Sequence, residues 1–175
     1  MTEVPVRRAD ADPDRGPSDP ARIFRVLNDH EVDYVLIGGW AVISHGRVRL
    51  TNDVDFVVAR DERNLGGLER ALAELHAELW GVDAHLLGIN LTAEQLGAAG
   101  NLTLTTDAGG VDVFNEVPGG VPYADLRRRS IEGRVRGVPV RVAGREDMIR
   151  MKRAAGREID LEDLAVLTEG ERAFE

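Results

Sequence analysis

Hydrophobic positions along the chain switch several times between a helical spacing and a strand spacing. Ile23, Phe24 and Leu27 share one face of a short helix, with Ser18 or Asp19 as candidate caps, Pro20 early and an end near 28–31. VDYVLIGG then reads as a buried strand stopped by two glycines, and Trp40 to His45 as a short helix. TNDVDFVVA alternates strictly: Val54, Phe56 and Val58 face one side, Asp53, Asp55 and Val57 the other. Leu65, Leu68, Leu72, Leu75 and Leu79 recur at spacings of three and four, which predicts an amphipathic helix over 61–79 covering one sheet face.

Glycines interrupt every period over 80–100, and no element is assigned there. NLTLTTDAGGVDVFNEV predicts a hairpin with strands near 101–106 and 110–115 and a turn at Asp107 to Gly110. A further strand is expected at Val138 to Val142. Two helices between Glu146 and Leu167 divide near Gly156 and Arg157. Together these elements predict one α/β domain over 21–170, a small mixed, mainly antiparallel sheet flanked by helices. Residues 1–20 carry few apolar side chains among Pro, Asp and Arg, and are expected to form a flexible tail.

Composition narrows the chemistry. The 175 residues contain no cysteine, so disulfides, thiolate zinc sites and a cysteine nucleophile are excluded. A net charge of −9 argues against a protein that coats nucleic acid through a general basic surface. A local basic groove around Arg47, Arg49 and the arginines of 127–136 remains compatible with an RNA end. No apolar run approaches the roughly 20 residues of a membrane span, and the N-terminus lacks a signal-peptide stretch, so a cytoplasmic protein is the expectation.

Asp53 and Asp55 project from one strand face about 6–7 Å apart, where like charges repel unless a cation lies between them. Oxygen ligands without sulfur favour Mg²⁺ or Mn²⁺ over zinc, and magnesium usually combines one or two carboxylates with substrate phosphates. Asp112, mid-strand in GVDVFNEV, becomes a third acid if the two strands are neighbours. Three converging carboxylates suit two-metal phosphoryl or nucleotidyl transfer. Gly38 and Gly39, between a strand and a helix, offer backbone N–H groups to a triphosphate.

GGWAVISHGRVRLTNDVDFVV resembles the signature of the DNA polymerase β-like nucleotidyltransferase superfamily. The likeness is greatest to the small bacterial branch that includes AbiEii-type toxin and lincosamide-type antibiotic nucleotidyltransferases. The resemblance covers residues 32–58, reaches Asp112, and follows the rest only in outline. It implies that Gly38 and Gly39 grip the nucleotide, that Asp53 and Asp55 bind metal, and that Asp112 is the third, catalytic acid. It further implies transfer of NMP from an NTP such as ATP to a hydroxyl, the acceptor being a small molecule, a protein or a tRNA end.

Two rival readings differ in class. A catalytically silent module of the same fold would bind a partner, such as a cognate antitoxin. A metal-dependent glycosyltransferase also uses Asp-x-Asp, although the short chain and the glycine pair argue against it. Arg49 and Thr51 either contact phosphate or flank the strand, and His45 is expected to pack or cap. Lys152, the one lysine in the chain, is placed beside the Met148, Met151 and Ala155 stripe. There it either reaches the rim of the site toward phosphate or lies on a solvated helix face. Asp160 is expected to cap the last helix, with Asp163 in its first turn.

Overall fold

The computed structural model describes residues 17–81 and 88–172. Residues 1–16 of the tail expected over 1–20, and positions 82–87 of the unassigned stretch, lie outside the described residues, whereas Asp19 and Pro20 at the end of that expected tail cap and begin the first helix. Helix α1 spans Pro20–Asp29 and is capped by Asp19, whose carboxylate accepts the Arg22 N–H at 3.1 Å. Its apolar face, with Ile23, Phe24 and Leu27 buried, packs against the sheet.

Strand β1 (Tyr34–Ile37) leads directly into α2 (Gly38–Ser44), then β2 (Val54–Val58) and α3 (Glu62–Glu74). β3 (Glu78–Leu79), α4 (Ala93–Ala98), β4 (Leu102–Thr106) and β5 (Gly109–Phe114) follow. The chain continues through α5 (Tyr123–Arg129), β6 (Ile131–Val135), β7 (Val138–Val142), α6 (Arg145–Ala155) and α7 (Glu158–Arg172). The seven strands make one mixed sheet in the order β3-β4-β5-β2-β1-β7-β6, with only the β2–β5 and β1–β7 pairs parallel. This is the mainly antiparallel α/β sheet expected from the sequence. Central strands are buried on both faces, and Phe24, Leu36, Phe56, Leu68, Leu72 and Leu104 fill the core.

Local chemistry explains both the agreements and the departures. α3 stops at Glu74 rather than running to 79, because His76 turns left-handed at φ 49° and releases the chain into β3. Leu79 therefore pairs with Leu104 in the sheet, although its spacing matches the helical stripe. α4, unassigned from sequence, is capped by Thr92, whose hydroxyl accepts the Gln95 N–H at 3.3 Å. α5, whose last turn is Arg127, Arg128 and Arg129, and β6, where Ile131, Glu132 and Arg134 are exposed, are likewise unassigned from the sequence. The β6–β7 turn at Arg136 and Gly137 has φ of 47° and 84°, the left-handed pair that a tight hairpin needs. Gly156 ends α6 at φ 63°, dividing the last two helices where expected.

One side chain ties the two strands that carry the site. Buried Asn64 accepts the Asp33 N–H at 2.6 Å and donates to the carbonyls of Asp33 at 3.0 Å and Ala59 at 2.7 Å. It thereby joins the start of β1 to the end of β2. The β1–β2 register then brings Ile37, and the glycines after it, beside Asp55.

Candidate functional site

Parallel pairing of β2 with β5 sets Asp55 directly opposite Asp112. Asp53, buried just ahead of β2, faces the same cavity. That cavity, of about 210 Å³, is also lined by Gly38, Gly39, Arg49, Thr51 and Lys152, so all eight residues singled out from the sequence meet at one place.

The carboxylates are crowded. Desolvation first, then the charges of Asp112 and Asp53 and a hydrogen bond with Asp112, hold the Asp55 carboxyl well above the usual carboxylate range; Lys152 opposes this weakly. Among the described residues, no three carboxylate or imidazole side chains are already spread around a point that an ion would occupy. Asp55 and Asp112 share a hydrogen bond instead.

The glycine pair has a steric role that the sequence did not reveal. Gly38 has φ +67°, and a Cβ there would overlap the Asp55 carboxylate. At Gly39 a Cβ would lie 2.5 Å from the Thr51 hydroxyl. The glycines therefore also let the start of α2 settle onto the protein's own acid and threonine. They are the first residues of α2 rather than a turn ahead of it.

Between α2 and β2 the chain alternates. Arg47, Arg49, Thr51 and Asp53 turn inward, whereas Val48 and Leu50 are exposed. Arg47 and Arg49 both donate to fully buried Asp163, Arg49 at 2.7 Å, and Arg47 also reaches Glu162 at 2.8 Å. These two arginines are thus tied to α7 and do not form the open basic groove considered above.

Lys152 reaches the cavity, as one of its two sequence readings expects, but from a buried position rather than from a solvated helix face: it lies 2.7 Å from Asp160 and 2.8 Å from Asp163. Met148, Met151 and Lys152 are all buried on α6, and the Lys152 ammonium meets α7, which covers the α6 face that the sequence left open. The last helix begins at Glu158, earlier than expected, so Asp160 lies inside its first turn and Asp163 beyond that turn; from there Asp160 accepts the Arg157 backbone N–H at 3.2 Å. Desolvation works to raise its carboxyl, but hydrogen bonds from Arg157 and Lys152 outweigh that and hold it at about 2. His45 is structural, its ring Nε2–H donating to the Ala143 carbonyl at 2.8 Å.

The site also includes residues that sequence reasoning missed. Thr103 and Phe114 line the cavity beyond Asp112. Phe114 follows from the alternation along β5, and the predicted hairpin makes β4 and β5 neighbours; what the sequence leaves open is the register that sets Thr103 opposite Asp112.

Neither a family model nor a curated protein sequence matches the chain, but solved structures do. ANT(2")-Ia in complex with adenylyl-2"-tobramycin superposes with a TM-score of 0.58 at 17% identity, covering 85% of each chain. The lincosamide antibiotic adenylyltransferase LnuA, lincomycin-bound, gives 0.56 at 16% identity over 87% of this chain and 98% of that one. An antigenic nucleotidyltransferase-like protein from Paracoccidioides brasiliensis gives 0.50 at 17% identity over 87% and 78%. The fold is that of the nucleotidyltransferases. Among the described residues, no helix is long and apolar enough to cross a membrane.

Proposed function

We propose that the chain is a divalent-metal-dependent nucleotidyltransferase moving an NMP group, with AMP from ATP the first candidate, onto an acceptor hydroxyl. The observation that carries this reading is the Asp55–Asp112 register with Asp53 beside it, at the wall of one cavity and on a nucleotidyltransferase fold. Adenylyl groups are named for two of the similar structures, which supports ATP as donor.

The donor set suits Mg²⁺ or Mn²⁺: oxygen ligands, crowded like charge, and no thiolate or imidazole required. Asp53, Asp55 and Asp112 would hold the ion, which supplies positive charge opposite the triphosphate. Lys152, Arg49 and Arg157 line the cavity as cations held in place by α7, suited to orienting phosphate oxygens without moving. Thr51 and the Gly38–Gly39 backbone border the same space. Asp112 takes the proton of the acceptor hydroxyl as its oxygen bonds to the α-phosphorus. The bond from that phosphorus to the bridging oxygen breaks, and pyrophosphate leaves with the electron pair.

A second reading has its own support. The acids are paired with each other rather than spread around an ion position, as a silent module that binds a protein such as an antitoxin would allow. Calorimetric titration with ATP and Mg²⁺, followed by transfer assays with α-labelled ATP, separates the two. Mg²⁺-dependent ATP binding and labelled product, both lost in Asp55→Asn, support the enzyme; no binding supports the module.

A further inference from the structure

The row of side chains crossing the sheet continues past Asp112. β4 pairs with β5 so that Thr103 lies opposite Asp112, and the order across four strands is Ile37, Asp55, Asp112, Thr103. All four line the same cavity. Gly38 lies against the Asp55 carboxylate and Gly39 against Thr51, so a nucleotide gripped there leaves an acceptor hydroxyl within reach of Asp112 to approach from the Thr103 side. Resting on the nucleotidyltransferase reading, we propose that Thr103 positions the acceptor hydroxyl on Asp112, and that the surface beyond it takes a lightly charged, partly apolar hydroxyl compound rather than a polycation.

The acceptor class follows from what surrounds Thr103. Phe114 lies two residues beyond Asp112 on the same strand face, about 6–7 Å along β5, and Pro118 and Met151 are further apolar residues of the same cavity. Asn101, also on that side, is spent on the backbone: its oxygen accepts the N–H groups of Asn115 at 2.9 Å and Glu116 at 3.0 Å, and its amide donates to the Glu116 carbonyl at 2.9 Å. Among the described residues, the carboxylates lining the cavity are Asp53, Asp55, Asp112 and Asp160. The first three form the acidic group, and Asp160 is held by Lys152 and Arg157. Among the described residues no further carboxylate lines the cavity to receive several ammonium groups, and desolvating them against Phe114 is unfavourable.

In the transfer step Thr103 only hydrogen-bonds the acceptor oxygen. That oxygen forms the bond to the α-phosphorus, its proton passes to Asp112, and pyrophosphate departs. Removing the Thr103 hydroxyl should therefore impair use of the acceptor and leave ATP binding alone.

The test supplies α-labelled ATP and Mg²⁺ with lincomycin, a lightly charged probe, or tobramycin, a polycation, to the unmodified chain, Thr103→Val and Thr103→Ser. Expected are label on lincomycin in preference to tobramycin, a loss of about tenfold or more in kcat/KM for lincomycin in Thr103→Val, and near-complete rescue in Thr103→Ser. Calorimetric ATP–Mg²⁺ affinity should be equal in all three. Thr103→Ala gives the same readout should the valine variant misfold. Preference for tobramycin, label on neither probe, full activity in the valine variant, or ATP affinity falling along with transfer overturns the assignment of Thr103 and its acceptor class. Failure of the unmodified chain to bind ATP with Mg²⁺ instead overturns the nucleotidyltransferase reading on which it rests.

Discussion

Two groups of aspartates stand within one cavity and its wall, and they are built oppositely. Asp53, Asp55 and Asp112 crowd together on the sheet, and the Asp55 carboxyl is pushed up by desolvation and by its neighbours. Asp160 and Asp163 on α7 are fully buried yet matched by Lys152, Arg47, Arg49 and Arg157, and Asp160 is held at about 2. The same residue type thus serves two ends. On the proposed function, the crowded carboxylates are where a cation that the fold does not itself provide would sit. Where each is met by cations, the fold holds positive charge steady beside that place.

The comparison breaks hardest at Asp163. Asp163→Ala leaves Arg47, Arg49 and Lys152 without their shared buried partner and should cost about 3–5 kcal/mol, read from urea unfolding. A loss below about 1 kcal/mol would show that solvent already satisfies these cations. Asp55→Asn should do the reverse. Transfer falls by more than about a hundredfold, roughly 2.7 kcal/mol of transition-state stabilisation, while the apoprotein melts at the same or a higher temperature. Stabilisation by ATP with Mg²⁺ should vanish in the same melts.

Gly38→Ala tests the contact between α2 and the acidic row. A left-handed backbone and overlap with the Asp55 carboxylate should together cost about 2 kcal/mol and weaken ATP binding. Unchanged stability would mean that the Asp55 side chain moves aside freely.

The smallest effects are in pH dependence and have opposite signs in the two groups. Unfolded, the Asp160 carboxyl protonates near about 3.9, whereas folded it resists protonation down to about 2. Its contribution is complete above the unfolded value and is lost as pH falls toward 2, so the urea midpoint should drop more steeply there in the wild type than in Asp160→Asn. Asp55, raised in the folded state, binds its proton more tightly folded than unfolded. The apoprotein should lose stability as pH rises above the ordinary carboxylate range, and Asp55→Asn should flatten that limb.

Much of this architecture could be read directly from the chain. Asp19 and Pro20 mark the start of α1, the 101–115 hairpin shows in its alternation, and Gly156 parts the last helices because a left-handed cap suits glycine. Leu79 misled because a spacing of four fits a helical stripe and also a chain that leaves the helix, turns at His76 and comes back to the sheet. β6 escaped because a strand at the sheet edge needs no apolar alternation.

The acidic spacing of Asp53 and Asp55, the glycine pair ahead of them and the strand position of Asp112 are legible along the chain, since all three depend on backbone periods of a few residues. That Asp55 meets Asp112, that the hairpin register sets Thr103 opposite Asp112, and that Lys152 is buried against Asp160 and Asp163 came only with the folded arrangement. Strand order and helix docking bring together segments far apart in the chain, and a polar residue on a helix looks solvated until the element that covers it is known. Burial and charge pairing are set by that covering element, so no local pattern around Lys152 could have revealed them.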